Sequence, residues 1–152
     1  MEFSSKLRTC LWVKDQAKEL AEFYTSLLPD SKIDAVYDGM PGIVEFTLSG
    51  APFMVMNMND GRFPASAATS ISVLTEDQEE TDRLWSTLIA DGGEESMCGW
   101  LKDRYGFSWQ IVPKALPRLL HAGDAAQAQR VGGALMAMKK IDIAGLEAAA
   151  TG

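Results

Sequence analysis

Apolar and polar residues alternate between Leu7 and Val13, which is the period-two pattern of a half-buried β-strand. From Leu20 the apolar spacing becomes that of an amphipathic helix, with Asp15 placed to cap its start and Pro29 to end it. Three β-rich segments follow this helix: residues 32–38, 43–48 and 52–58. The pattern therefore predicts the order β-α-β-β-β.

The same order is predicted a second time from Thr69 onwards, so the chain contains an internal repeat. The dipeptide Asp15-Gln16 recurs as Asp77-Gln78, ahead of a second helix whose start reads as a capping box with Glu80. The same spacing relates three further pairs: Phe23 and Trp85, Thr25 and Thr87, and Leu27 and Ile89. Gly92-Gly93 ends the second helix. Three β-rich segments follow it: residues 94–97, 99–103 and 107–112.

The last predicted hairpin, residues 98–113, reads "CGWLKDRYGFSWQIVP" and carries charged residues between two tryptophans. By alternation, Trp109 and Ile111 share the face that packs on the unit's own helix, and Gln110 lies on the opposite face. Residues 103–106 are predicted to form the turn, with Gly106 suited to a positive φ. The charges are therefore interpreted as turn chemistry rather than as an active centre.

Residues 114–152 differ from the repeat and are predicted to be an alanine-rich helical extension. Asp124 is placed to cap one helix and Asp142 a short last one. Gly132-Gly133 falls inside a predicted helix, where each glycine costs about 1 kcal/mol relative to alanine, so we expect close packing or a break there. The predicted organisation is one domain of paired modules over 1–113 (about 1–62 and 63–113), with the extension over 114–152.

Composition narrows the classes of function. The 152 residues carry a net charge of −7 without clustered Lys and Arg, which argues against nucleic acid as a partner. No apolar run is long enough to cross a membrane, and the first residues lack a signal peptide, so we expect a cytoplasmic protein. Two cysteines without a CxxC motif predict reduced, partly buried thiols, and a single histidine, His121, excludes zinc motifs that need two.

The duplicated unit resembles the vicinal oxygen chelate superfamily, which includes glyoxalase I, bleomycin-resistance proteins and extradiol dioxygenases. Four stretches are similar to its PhnB-like branch, often labelled as a 3-demethylubiquinone-9 3-methyltransferase domain: "CLWVKDQAKELAEFYTSLLPDSKI", "VEFTLSGAPFMVMN", "EDQEETDRLWSTLIADGGEE" and the hairpin quoted above. With "MKKIDIAGLEAA" in the tail, the resemblance runs from about Leu7 to Ala149.

The resemblance implies an α+β fold in which two βαβββ modules form a curled eight-stranded sheet around a cavity, with the helices outside. In such proteins the cavity holds a small molecule and, in the enzymes, a divalent metal. Members commonly form homodimers, so the expected partners are a small-molecule ligand and a second copy of the chain.

The resemblance also places the metal ligands of the enzymes on four strands of this sequence. The corresponding positions are Arg8, Met54 or Met56, Ser70 and Gln110. A divalent ion of this class needs imidazole or carboxylate ligands, and among these side chains only Gln110 offers even a weak one. We therefore predict no metal and no other cofactor.

Nine residues are expected to line the cavity: Arg8, Cys10, Trp12, Met54, Met56, Ser70, Ser72, Ser108 and Gln110. Arg8 either binds an anionic ligand or packs the aliphatic part of its side chain while the guanidinium reaches solvent. Cys10 is either a thiol activated by Arg8 or, as base rates favour, a small buried hydrophobe. The methionines of "MVMNM" either line an adaptable pocket or fill the core. His121 is expected to be a surface residue of the extension.

Four functions compete at this point. The preferred one is a metal-free, small-molecule-binding member of the superfamily whose activity is open. The others are a metal-dependent lyase, isomerase or dioxygenase with ligands completed in the dimer, the methyltransferase of the family label, and a structural dimer whose cavity is filled by Trp12 and Trp100. No glycine-rich loop follows a parallel strand, as methyltransferases of the usual fold require, since "DGGEE" follows a helix.

Overall fold

The computed structural model describes residues 5–152, and these fall into two compact units that meet in sequence between Pro64 and Ala65. Each unit contains one copy of the repeat, and the second also contains the extension. The duplicated organisation follows from the sequence, because each copy supplies one helix together with strands whose sheet can cover one face of that helix.

The first unit has five elements: β1 (Thr9–Val13), α1 (Ala17–Leu27), β2 (Lys32–Tyr37), β3 (Ile43–Leu48) and β4 (Ala51–Asn57). Its strands form one sheet in the order β1-β4-β3-β2. β1 runs parallel to β4, while β4–β3 and β3–β2 are antiparallel.

One face of this sheet is buried under α1. Leu20, Tyr24 and Leu27 of the helix are buried, as are Phe46 of β3 and Val55 of β4. The Tyr24 ring meets Phe46 edge-on at 6.2 Å between centroids. Since side chains alternate along a strand, the residues between the buried ones point to the face away from α1.

The second unit repeats the arrangement with five elements: β5 (Ser70–Thr75), α2 (Gln78–Ile89), β6 (Glu94–Glu95), β7 (Trp100–Lys102) and β8 (Ser108–Pro113). Its sheet has the order β5-β8-β7-β6, with β5 parallel to β8 and the other pairs antiparallel. Trp85 and Leu88 of α2 are buried, together with Trp109 and Ile111 of β8. The aromatic side of the last hairpin therefore packs on the module's own helix side, as predicted.

The α+β class and the repeated βαβββ order are confirmed. The eight strands form two four-stranded sheets rather than one hydrogen-bonded sheet. Each parallel edge strand, β1 or β5, has its ladder partner within its own unit.

The two copies start their helices differently. Asp77 caps α2 by accepting a hydrogen bond from the Glu80 amide at 2.9 Å, and the Glu80 carboxylate accepts from the Glu76 amide at 2.7 Å. The expectation for Asp15 is wrong, because α1 begins after Gln16, which makes no side-chain cap bond. The amide of Ala17 is bound instead by the Asn57 side chain at 2.9 Å.

The extension forms three helices: α3 (Ala115–His121), α4 (Ala125–Met136) and α5 (Ile143–Thr151). They enclose a small core of buried residues: Leu116, Val131, Ile141 and Leu146. Gln78 ties this core to α2, since its side chain donates to the Ile141 carbonyl at 3.1 Å and accepts from the Ile143 amide at 2.9 Å. The extension is thus an integral part of the second unit.

The helix starts and glycines of the extension match the predictions in part. Asp124 caps α4 by accepting from the Gln127 amide at 2.9 Å, whereas Asp142 makes no side-chain cap bond to α5. Both expectations for Gly132-Gly133 are wrong. α4 continues through the pair without a break, and a Cβ added at either glycine would meet nothing within 4 Å.

The turn of the last hairpin is organised by Asp103, which is only 1% exposed. One carboxylate oxygen accepts from the amides of Tyr105 and Phe107, at 2.9 and 3.0 Å, and the other accepts from the Trp109 indole at 2.9 Å. Gly106 has a φ of 90°. The charged centre of "CGWLKDRYGFSWQIVP" is therefore structural.

Candidate functional site

The first candidate surface is the face of the β1-β4-β3-β2 sheet that points away from α1, here called the open face of the first unit. The parallel register sets Cys10 beside Met54 and Trp12 beside Met56. All four are at least partly exposed, Trp12 by 40%. The methionines of β4 thus lie opposite the helix, while Phe53 and Val55 between them are buried.

Arg8, just before β1, forms an ion pair with Glu45 of β3. The register pairs Glu45 with Met54, so the carboxylate lies on the open face in the same row as Cys10. The two side chains are 28% and 17% exposed, which leaves the pair half-buried. Arg8 therefore does not face a ligand as a lone cation, and its side chain stays partly open to solvent.

A segment after β4 brings a second aromatic ring to Trp12. Phe63 meets the Trp12 indole edge-on at 5.8 Å between centroids. The Phe63 carbonyl accepts from the Asn59 side chain at 2.7 Å, and the Arg62 guanidinium lies 5.7 Å from the Phe63 centroid. The open face thus ends in an edge-to-face aromatic pair, a geometry that rings prefer over direct stacking.

Cys10 is exposed on this face, so the expectation of a small buried hydrophobe is wrong for the described chain. Desolvation by its neighbours nevertheless raises the pKa of the Cys10 thiol, and the opposing effects of Trp12 and Arg8 on that pKa are smaller. A raised pKa means less thiolate at neutral pH, which argues against Cys10 as a nucleophile.

The corresponding face of the second unit is built from hydroxyls and an amide. Ser70 pairs with Ser108 and Ser72 with Gln110 across β5 and β8. The Gln110 side chain donates to the Ser70 hydroxyl at 2.9 Å. Ser72 is exposed, Ser70 and Gln110 are half-buried, and Ser108 is 6% exposed and so offers little surface.

These side chains do not fit the metal that the fold family implies. In the first unit Arg8, at a position where the resemblance implies a ligand, repels a cation, and Met54 and Met56 are soft thioethers. In the second unit Ser70 and Gln110 are bound to each other. Among residues 5–152 no three His, Cys, Asp or Glu side chains come together as a metal site would require.

The remaining candidates lie away from these faces. His121 is exposed at the end of α3, as expected of a surface residue. Gly92-Gly93 follows α2, and a Cβ at Gly93 would lie 2.5 Å from the Leu88 carbonyl oxygen. Gly92-Gly93 therefore ends α2, with Gly93 packed directly against the last turn of the helix.

Glu45 and Phe63 are the residues of the open face that sequence reasoning missed. The alternation of "IVEFTL" already places Glu45 between two core positions and hence on the opposite face. Its pairing with Arg8 depends on the strand order β1-β4-β3, which spacing alone does not give. No signal in the sequence places Phe63 beside Trp12, because the connecting segment is irregular.

No helix among residues 5–152 combines the length and apolar character needed to cross a membrane.

Comparison with known proteins gives the family. A family model described as 3-demethylubiquinone-9 3-methyltransferase matches residues 5–112. The PhnB protein from Bacillus cereus is 32% identical, with 72% of this chain and 99% of that chain covered and a TM-score of 0.66. None of the curated proteins compared with the chain matches it significantly.

More distant structures share the fold. The fosfomycin resistance protein FosX from Listeria monocytogenes, complexed with Mn(II) and sulfate, is 16% identical over 72% of this chain and 92% of that chain, with a TM-score of 0.53. A glyoxylase/bleomycin resistance protein/dioxygenase domain from Frankia sp. EAN1pec is 17% identical over 72% and 97%, with a TM-score of 0.51.

The repeated βαβββ units and these matches define a member of the vicinal oxygen chelate superfamily. Within it, the chain belongs to the PhnB-like family described as 3-demethylubiquinone-9 3-methyltransferase. The family match ends at residue 112, so the resemblance predicted for the tail up to Ala149 has no support from it.

Proposed function

We propose that this protein binds a small, largely apolar molecule without a metal, and that the open face of the first unit is the main contact surface. The observation that carries the proposal is the row of side chains turned away from α1, in which Trp12 and Met56 lie beside Cys10 and Met54. Flexible thioethers next to an aromatic ring suit a surface that adapts to apolar ligands.

The hydroxyl and amide groups on the matching face of the second unit form a separate polar surface. Ser72 is exposed. Gln110 and Ser70 form a neutral hydrogen-bonded pair, and either side chain can give up this bond to form one with a ligand. Hydroxyl and amide groups of this kind fix the orientation of a bound ligand.

The proposal is tested with N-phenyl-1-naphthylamine, a neutral apolar dye whose fluorescence rises on binding. Wild-type protein should bind it saturably, and Trp12→Ala should weaken binding about tenfold through lost aromatic contact area. The matched control is Val36→Ala, because Val36 is similarly exposed but pairs with Val44 on the α1 side of the same sheet. Equal affinity in wild type and Trp12→Ala would refute the proposed surface.

The metal-dependent alternative is a lyase, isomerase or dioxygenase whose ligands are completed by a partner subunit. FosX supports it only as a distant relative of the same fold that is complexed with Mn(II). Elemental analysis of protein purified without chelators discriminates the two. One equivalent of tightly bound Zn, Mn, Ni or Fe would favour this alternative over the metal-free one.

The methyltransferase of the family description is a separate alternative. Gly92-Gly93 closes α2 rather than following a parallel strand, so no backbone loop for a nucleotide cofactor is supported there. Calorimetry with S-adenosylmethionine tests it. We expect no heat of binding, and micromolar affinity would revive this function.

A homodimer and a cytoplasmic location complete the proposal. The family resemblance supports the dimer, and the two free cysteines, Cys10 and Cys98, suit a reducing compartment. Light scattering after gel filtration tests the assembly. A dimer that bound no apolar probe would favour the fourth function, a structural dimer.

A further inference from the structure

The charges on the open face of the first unit cancel in pairs. In β1–β4 and the residue before them, the charged side chains are Arg8, Lys32, Asp34 and Glu45. Arg8 pairs with Glu45, and Lys32 lies 3.5 Å from Asp34. The Lys32–Asp34 pair sits at the far edge strand, so the charge nearest Cys10 and Met54 is the Arg8–Glu45 pair.

Because the Arg8–Glu45 pair is half-buried, the mutual neutralisation of its two charges affects which ligands can bind beside it. An anionic ligand that approached Arg8 would have to displace Glu45 and leave that carboxylate without its cation on a partly dry surface. Breaking a buried pair by removing one partner is costly, because the other charge is then uncompensated. Like charges brought together also repel, which is a common means of rejecting wrong ligands.

We propose that Glu45 is a specificity-determining residue that closes Arg8 to anions, so that the open face selects neutral apolar or aromatic molecules over their carboxylate, sulfonate or phosphonate analogues. This inference rests on the proposed function, because it names the ligand class of the same surface. Glu45 acts here by holding the guanidinium, and no chemical step is assigned to it.

Two dyes of nearly the same shape test this selection. N-phenyl-1-naphthylamine is neutral, and 8-anilinonaphthalene-1-sulfonate is the same ring system with a sulfonate. Wild type should bind the neutral dye about tenfold more tightly than the sulfonate at the Trp12-dependent site. In Glu45→Gln the sulfonate should gain about tenfold, since Arg8 then lacks its carboxylate, while the neutral dye should bind as before.

Two further variants separate this effect from a general change in charge. Arg8→Gln combined with Glu45→Gln should return the sulfonate to its wild-type affinity. Glu22→Gln on α1 removes a carboxylate that lies 3.9 Å from Lys18 on the helix, and it should change neither affinity. A gain in Glu22→Gln as large as in Glu45→Gln would overturn the inference.

The outcomes distinguish this inference from the proposed function. If neither dye binds in a Trp12-dependent way, the proposed function fails. If the neutral dye binds but the sulfonate binds wild type equally well, or gains nothing in Glu45→Gln, the selection by Glu45 is wrong and the binding surface stands. Should Glu45→Gln fail to fold, the wild-type preference between the two dyes decides.

Discussion

The two units share one topology but differ in what their strands carry. In both, the first strand of the repeat runs parallel to the last, and the helix covers one face. The open face of the first unit is apolar, with two methionines and a tryptophan, whereas the matching strands of the second unit carry serines and a glutamine. Topology is thus preserved by the core positions, while the opposite face is free to change.

The units also differ in how they are stabilised. The second unit has a capped helix, a buried aspartate in its last turn and three extra helices on its own small core. The first unit relies on the packing of α1 on its sheet, where Tyr24 of the helix meets Phe46 of β3. Single substitutions can therefore remove the local polar interactions of the second unit one at a time. Their effects on stability can be compared with those of substitutions in the first unit.

The largest effect is expected at Asp103. Asp103→Ala leaves two partly buried amides and the buried Trp109 indole without their acceptor, so the free energy of unfolding should fall by about 3 kcal/mol. Urea denaturation followed by tryptophan fluorescence measures it. Asp38→Ala, at an exposed position after β2 of the first unit, should change stability by less than about 0.5 kcal/mol. Equal effects at both sites would contradict a structural role for Asp103.

The end of α2 should tolerate change almost as poorly. A Cβ at Gly93 would lie 2.5 Å from both the Leu88 carbonyl oxygen and the Ile89 Cα, and backbone atoms cannot move aside cheaply. Gly93→Ala should therefore lower the free energy of unfolding by about 2 kcal/mol, within the range for overpacking. Thermal denaturation by circular dichroism tests this, and an unchanged midpoint would show that the helix end relaxes freely.

The caps give a smaller, directly paired contrast. Asp77→Ala removes the acceptor of the Glu80 amide and should cost about 1 kcal/mol. Asp15→Ala, at the matching position of the first unit, should cost far less, because α1 begins after Gln16 without a side-chain cap bond. Chemical denaturation of both variants measures the difference. A loss at Asp15 as large as at Asp77 would show that both helices are capped alike.

An increase in stability is expected in the extension that only the second unit carries. Gly132→Ala and Gly133→Ala each place a methyl group in open space within α4, so each should raise the free energy of unfolding by about 0.8 kcal/mol. The readout is again urea denaturation. Destabilisation by either variant would mean that a neighbour approaches α4 at that point.

The smallest effect concerns the thiol on the open face of the first unit. Partial desolvation by neighbouring side chains raises the pKa of Cys10, so its alkylation by iodoacetamide should be slow at neutral pH and should rise with pH, with a midpoint above that of a fully solvated thiol. Arg8 lowers this pKa slightly, so Arg8→Gln should move the midpoint further up. Peptide mass spectrometry follows the labelling. Full alkylation within minutes at neutral pH would contradict the raised pKa.

Much of the fold follows from periodicity and from the repeat itself. The strands from Ile43 to Leu48 and around Trp109, and the caps at Asp77 and Asp124, were predictable because each depends on residues close in sequence. The prediction for Asp15 was wrong because a capping residue also needs a particular backbone geometry. At the start of α1 the Asn57 side chain, at the end of β4, accepts from the Ala17 amide instead. The prediction of close packing or a break at Gly132-Gly133 was wrong because a glycine pair can occur in a helix without any neighbour that requires it.

The candidate site was predictable only in part, for a related reason. Alternation predicted a shared face for Cys10 and Trp12 but left the face of the β4 methionines open, and the partner of Arg8 lies on a strand that is not its neighbour in the sheet. Contacts between residues far apart in sequence, such as Arg8 with Glu45 or Trp12 with Phe63, need the folded order of strands. They determine the chemistry of the open face.

The central claim is that the open face of the first unit binds a small molecule without a metal. The most direct test is a titration with N-phenyl-1-naphthylamine before and after exhaustive chelation, with the metal content measured on the same samples. The account predicts substoichiometric metal and the same saturable, Trp12-dependent affinity in both. One tightly bound metal ion per chain, with dye affinity lost on chelation and restored by the metal, would contradict it.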